Sequence, residues 1–150
     1  MWQSSVSVEI GATPEAVYRR LEDFTKHSEF SDGLATVEQL TPGPIGVGTR
    51  FKSEETVPRR YVSFSEITGL QEPGLIAWRA WVPGVMRTEW EFRITPAAEG
   101  THLEQVSRWW PTGPIGLLML NLHRKRNAPR ENLASLEQVK RVLEGQEVAA

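Results

Sequence analysis

"SRWWPTGPIGLLMLNLHRKRNAPRENL", Ser107 to Leu133, is the stretch whose reading decides the rest of the chain. Two adjacent tryptophans, a Pro/Gly break, an almost unbroken apolar run and then His123, Arg124, Lys125 and Arg126 admit three readings: a membrane anchor, a nucleic-acid-binding arm, or the wall of a ligand cavity. Ile115 to Leu122 is far short of the roughly 20 apolar residues that a spanning helix needs, so no membrane insertion is expected. As a nucleic-acid signal "HRKR" lacks the aromatic platforms or exposed reading helix that such a cluster needs, and no nucleic-acid partner is expected. What remains is an apolar helix in need of cover.

Pro111 and Gly113 interrupt the preceding strand, Thr112 is placed to cap, and Pro114 suits a first helical turn, so a long helix is predicted from here to about Leu143. On an ideal wheel Ile115, Leu118, Leu122, Pro129, Leu133, Leu136 and Leu143 share one stripe. Arg124, Arg130, Glu131 and Glu137 lie mostly off it. Pro129 removes a backbone hydrogen bond to the Lys125 carbonyl, which predicts a kink between a cavity-facing half and a half packed on a sheet.

Upstream, the periodicity supplies that sheet. "SVSVEI" (Ser5 to Ile10) alternates like a strand, and "TPEAVYRRLEDF" reads as a helix with Thr13 as N-cap, Pro14 at the first position and Val17, Leu21 and Phe24 on one face. An extra turn through His27 to Phe30 precedes an Asp32–Gly33 turn signal. Beyond Gly33 the period becomes two, punctuated by "PGPIG", "VPRR", "LQEPG", "VPG" and "PAAEG", the pattern of an antiparallel meander. The clearest member is "GVMRTEWEFRITP", with Met86, Thr88, Trp90, Phe92 and Ile94 on one face and Arg87, Glu89, Glu91 and Arg93 on the other. Pro83–Gly84 suits the tight turn joining it to "GLIAWRAWV". "GPIG" occurs twice, at Gly43 and Gly113, without flanking similarity, and is read as turn chemistry rather than repetition.

With 150 residues the chain has the size of one domain able to bury a substantial core, and residues 1–150 are read as a single domain with "EGQEVAA" as a frayed tail. The absence of cysteine excludes disulfides, thiolate nucleophiles and Cys-ligated metal. A net charge of −2 provides no overall field for nucleic acid or anionic membrane. The N-terminus resembles neither a signal nor a transit peptide, so a cytoplasmic location is expected.

The order strand, short helix pair, meander and long C-terminal helix, together with "ATPEAVYRRLEDFTKHSEF", "GPIGVGTRF", "EITGLQEPGLIAWRA" and "FRITPAAEGTHLEQV", resembles the START-like (SRPBCC) superfamily. That superfamily includes polyketide cyclase/dehydratase-like, lipid-transfer and birch-pollen-allergen-like proteins. The resemblance implies an α+β helix-grip fold, a curved antiparallel sheet of about seven strands wrapped around a long C-terminal helix, with an elongated cavity between them. "IGLLMLNL" would then roof the cavity and "HRKR" emerge toward solvent.

Register arithmetic places Phe51 and Ser53, Ser63, Ser65 and Ile67, Met86, Thr88, Trp90 and Phe92, and Leu103, Gln105, Ser107 and Trp109 on the inner faces. Leu118 and Leu122 are expected to close the cavity from the helix side. Trp90 with Trp109 or Trp110 would suit a flat or polycyclic ligand, or else fill the core. The polar members of the set favour a wet cavity, since buried polar groups need partners. His27, Tyr61, Arg79 and Arg126 are candidate polar anchors, Lys125 an alternative to Arg126, and Glu55 a further acid–base candidate. His27, His102 and His123 lack metal-site spacing, so no metal and no cofactor are expected, and no pattern singles out catalytic residues.

Three functions compete on this reading. One is binding of a hydrophobic small molecule (lipid, aromatic or polyketide-like). A second is a polyketide aromatase/cyclase or dehydratase in which an Arg, Tyr or His assists enolisation or dehydration. The third is a regulatory interaction module presenting Trp2, Trp81 and Trp110 on one exposed patch. A homodimer is compatible with the resemblance.

Overall fold

Long antiparallel strands need short connections that fit their twist, and the sequence provides two in succession. In the computed structural model, which describes residues 1–31, 34–56 and 59–149 with side chains to Gly145, strand β5 (Leu75–Val82) turns through Pro83–Gly84 into β6 (Met86–Ala97), which folds back as β7 (Gly100–Pro111). Gly84 takes φ +73 at the third turn position, where a side chain would be strained, and the Val85 N–H donates to the Val82 carbonyl at 3.0 Å. This is the type II geometry that Pro–Gly favours.

Around this hairpin pair the sheet grows outward on both sides. β1 (Trp2–Ile10) lies against β7, and β4 (Tyr61–Gln71), β3 (Arg50–Glu55) and β2 (Leu34–Gln39) follow β5. All seven strands are antiparallel, in the order β1-β7-β6-β5-β4-β3-β2. β1 begins three residues earlier than the alternation predicts, because Trp2, Gln3 and Ser4 extend the ladder opposite Trp109, Arg108 and Ser107. The Asp32–Gly33 turn and the Val57–Pro58 part of "VPRR" lie outside the described residues.

Helix α1 (Pro14–Glu22) is capped as its sequence predicts. The Thr13 side chain accepts from the Ala16 N–H at 3.2 Å, and Val17 and Leu21 are buried. Asp23 then caps a 3-10 turn, Phe24–Glu29, that inserts Phe24 and His27 into the core. This main core also holds Phe51, Ile67, Phe92, Leu103, Leu136 and Val139.

The C-terminal helix departs from expectation in three ways. Its N-cap is Gly113, which makes no side-chain cap bond, rather than Thr112. It is not a uniform α-helix: α2 (Pro114–Met119) passes through a π-helical turn, Leu120–Arg124, into α3 (Lys125–Ala149), so the main chain is helical beyond Leu143 and through most of the predicted tail. And its buried row keeps Leu136 and Leu143 of the predicted stripe but not its first half. Gly116, Leu120, Arg124, Ala128, Asn132 and Leu136 face inward, whereas Ile115, Leu118 and Leu122 face solvent. The wheel assumed constant α geometry, in which each i+4 step drifts by about 40°. A π turn, with more residues per turn, removes part of that drift and keeps an i+4 series against the sheet. The π turn lies N-terminal to Pro129, which sits inside α3.

Gly116 fixes how near the helix comes. A Cβ there would lie 1.6 Å from the Val85 carbonyl oxygen, so only glycine allows the helix to cross the β5–β6 turn at this distance. Gly116→Ala is expected to destabilise by roughly 1–3 kcal/mol or more through overpacking, read as a lowered urea midpoint. Gly46→Ala, where an added Cβ meets nothing within 4 Å, is expected to leave that midpoint unchanged.

Candidate functional site: an aromatic cavity under the C-terminal helix

Between the concave face of the sheet and the C-terminal helix lies a cavity of about 180 Å³. Alternation on β5 and β6 supplies its floor. Trp78 and Trp90 are register partners across the two strands, and their rings stack 6.0 Å apart with 5° between planes. Trp109 meets Trp90 edge-on at 5.5 Å, and Phe92 and Phe24 each approach Trp78 at 5.1 Å. These offset and edge-to-face contacts are the favoured arrangements for π systems.

The two central indole N–H groups are satisfied by hydroxyls two residues away on the same strand face. Trp90 Nε1 donates to Thr88 Oγ1 at 2.7 Å and Trp109 Nε1 to Ser107 Oγ at 3.0 Å. Part of the polar mixture on the inner faces thus serves the tryptophans themselves. Ser107 does not reach the cavity at all, whereas Ser53, Ser63, Ser65, Thr88 and Gln105 line it.

His27 closes one wall. It stacks on Phe24 at 4.3 Å, and its Nε2–H donates to the Leu21 carbonyl at 2.8 Å. A carbonyl only accepts, so this bond fixes the tautomer and leaves Nδ1 as an acceptor. Burial is the main cause that pushes His27 down to about 4, against the opposing pull of the Leu21 hydrogen bond and the Asp23 charge. The ring is therefore neutral near pH 7.

The polar end is built by β3, β4 and the π turn. Burial raises the Glu55 carboxyl above its ordinary range, opposed by hydrogen bonds from Ser63 and Tyr61 and by the Arg124 charge. Burial, followed by the Glu55 charge, raises the Tyr61 hydroxyl. Arg124, only 8% exposed, places Nη1 2.7 Å from Glu131 Oε2 and its guanidinium 5.4 Å from the centre of the Trp109 ring. The Glu131 carboxylate and the Trp109 face both favour this buried charge, while Arg124 Nε is left without a hydrogen-bond partner among the described residues. The arrangement offers a largely aromatic cavity in which Glu55, Tyr61 and Arg124 form one polar group and Ser53, Ser63, Ser65, Thr88 and Gln105 add further donors and acceptors from the sheet.

The structure divides the sequence-predicted site residues. Ser53, Ser63, Ser65, Met86, Thr88, Trp90, Phe92, Gln105, Trp109, His27 and Tyr61 come together around the cavity. Phe51, Ile67 and Leu103 do point inward but are consumed by the core beneath it. Leu118 and Leu122 are on the solvent side of the helix because the π turn sets its phase. Arg79 is on the outer face, 2.9 Å from Glu66, and Arg126 and Lys125 are exposed on the helix exterior. Trp2, Trp81 and Trp110 are each half-buried and form no exposed patch. Trp2 packs near Trp109, and Trp110 lies beneath Arg87. Trp78 was missed although the alternation of "LIAWRAWV" places it opposite Trp90. Arg124 was missed because a helical wheel that omits the π turn puts it off the buried stripe.

Among the described residues no group of three metal-ligating side chains is arranged to hold an ion, and no helix is long and apolar enough to cross a membrane. A seven-stranded antiparallel sheet gripping a helix over an aromatic cavity defines the class: a helix-grip, hydrophobic ligand-binding fold. Residues 1–144 match the model of the family described as "Polyketide cyclase / dehydrase and lipid transport", and the chain belongs to that family. Similar solved structures include TTHA0849 from Thermus thermophilus (17% identity, 97% of this chain and 99% of that one, TM-score 0.76). Another is the di-domain ARO/CYC StfQ from the steffimycin biosynthetic pathway (15%, 97% and 52%, TM-score 0.77). A third is Ara h 8.0201 (10%, 96% and 98%, TM-score 0.70). At these identities they show the fold. No curated protein matches the sequence.

The unfolded chain binds a proton on His27 near the ordinary 6.5, the folded chain only near 4. Stability from this residue is therefore complete above about pH 6.5 and is lost as pH falls toward about 4, by roughly 3 kcal/mol in all. His27→Gln, which retains a donor for the Leu21 carbonyl, is expected to flatten the stability profile in that window, as measured by urea denaturation at several pH values.

Proposed function

We propose that the protein binds a small, flat, largely aromatic molecule in this cavity, held by the stacked indoles and oriented by the polar end. The observation that carries the reading is the Trp78–Trp90–Trp109 surface, which remains open beside its own core with its central N–H groups already satisfied. Size narrows the ligand. A cavity of about 180 Å³ is close to the ~150 Å³ that admits benzene and below the ~300–1,000 Å³ usual for drug-sized ligands. One ring or two fused rings suit it, and a folded polyketide or a long acyl chain would require the walls to part.

A second reading has its own observation. Glu55, Tyr61 and Arg124 stand together at the polar end, and burial raises the Glu55 carboxyl, the direction expected of a carboxyl that exchanges a proton with a bound molecule. A ligand with an enolisable carbonyl directed there would make the cavity an acid–base site of the cyclase or dehydratase kind. Glu55→Gln would then abolish turnover while leaving binding intact.

Binding is tested by native mass spectrometry of freshly purified protein and by quenching of tryptophan fluorescence with naphthalene-sized neutral probes. The expected result is a retained compound, or saturable quenching. Ser53→Leu, which directs an apolar side chain from β3 into the slot, is expected to weaken probe binding by about tenfold or more without lowering the unfolding midpoint. Quenching that never saturates, with a bare native mass, would overturn the proposal.

A further inference from the structure

We propose that the outward face of the α2–π–α3 junction docks the protein on anionic lipid surfaces, lying in the headgroup interface without crossing it. The side of the helix opposite the cavity is apolar where a surface helix is expected to be polar. Ile115 is 69% exposed, Leu118 61%, Leu122 70% and Leu117 53%. They cannot turn inward, because Gly116 and Leu120 on the other side already face the sheet and Gly116 touches the Val85 carbonyl.

The surface continues as charge. Leu118, Leu122, Arg126 and Arg130 follow one another at i+4, so the apolar row runs into a basic one, and Lys125 is exposed beside it. From Pro111 to Arg130 there is no aspartate or glutamate. Apolar side chains joined to a cationic row are the pattern of helices that rest in an anionic interface. The chain as a whole has a net charge of −2, so a face with cations and no carboxylate among its residues would set the orientation on such a surface. A second copy of the chain fits less well. Across a two-fold axis this segment would meet itself, and it has no carboxylate to offer Lys125, Arg126 and Arg130. In the docked orientation Met119 and Arg124, which line the cavity from the same turns, lie directly behind the contacting residues.

The test is co-sedimentation with phosphatidylcholine vesicles with and without about 30% phosphatidylglycerol, at low salt and near 0.5 M salt. Wild type, Leu118→Gln/Leu122→Gln and Arg126→Glu/Arg130→Glu are compared, without any cavity ligand. Wild type is expected to bind the anionic vesicles about tenfold more tightly than the neutral ones, and to release with salt. Each double variant should lose about tenfold while keeping the wild-type thermal midpoint, since all four side chains are exposed. Three results would overturn the proposal: no partition onto anionic vesicles, partition that neither double variant weakens, or a wild-type dimer in light scattering that Leu118→Gln/Leu122→Gln dissociates while vesicles stay bare. None of them depends on whether the cavity binds a small molecule.

Discussion

The contact between Gly116 and the Val85 carbonyl sets the height of the helix above the sheet at one end. The Thr112 N–H donates to that same carbonyl at 3.0 Å, so strand, turn and helix start converge on one peptide group. At the far end, Lys140 reaches the Glu9 carbonyl at 2.6 Å and Glu144 accepts from the Gly11 N–H at 2.9 Å. A helix held at both ends cannot settle onto the middle of a curved sheet. The gap left between the attachments is the cavity, and large side chains from β5, β6 and β7 partly fill it from below.

Within that gap, burial decides the chemistry. The indoles bring their own hydroxyl partners along the strand, so the floor behaves as an apolar surface despite carrying N–H groups. Burial acts on the titratable groups in opposite chemical senses: it keeps His27 unprotonated and pushes Glu55 toward its protonated form. Both shifts favour the neutral species. Arg124 is met by the Glu131 carboxylate and the Trp109 face.

The strands were legible because their period of two is geometrically rigid. Once Met86, Thr88 and Trp90 share a face, Arg87 and Glu89 must share the other, and the antiparallel ladder carries that register to its neighbours. Capping of α1 by Thr13 was equally local. The helix over the cavity was less legible, since its phase depends on one π turn that no single residue announces. The same error moved Leu118 and Leu122 to the wrong side and concealed Arg124. Arg79 illustrates a different limit. Its outward direction follows from its place between Trp78 and Ala80, which a candidate chosen by chemical type alone overlooks.

The π turn also makes chain length a property of the site. With all its residues present, forcing Leu120–Arg124 into α geometry would rotate everything C-terminal to it by about 100°. Asn132 and Leu136, buried in the present phase, would leave the sheet, and Glu131 and Ser135 would be carried toward it. Deleting one residue within the turn restores α geometry and leaves the downstream row in phase, whereas the same deletion between Lys125 and Asn132 turns that row off the sheet.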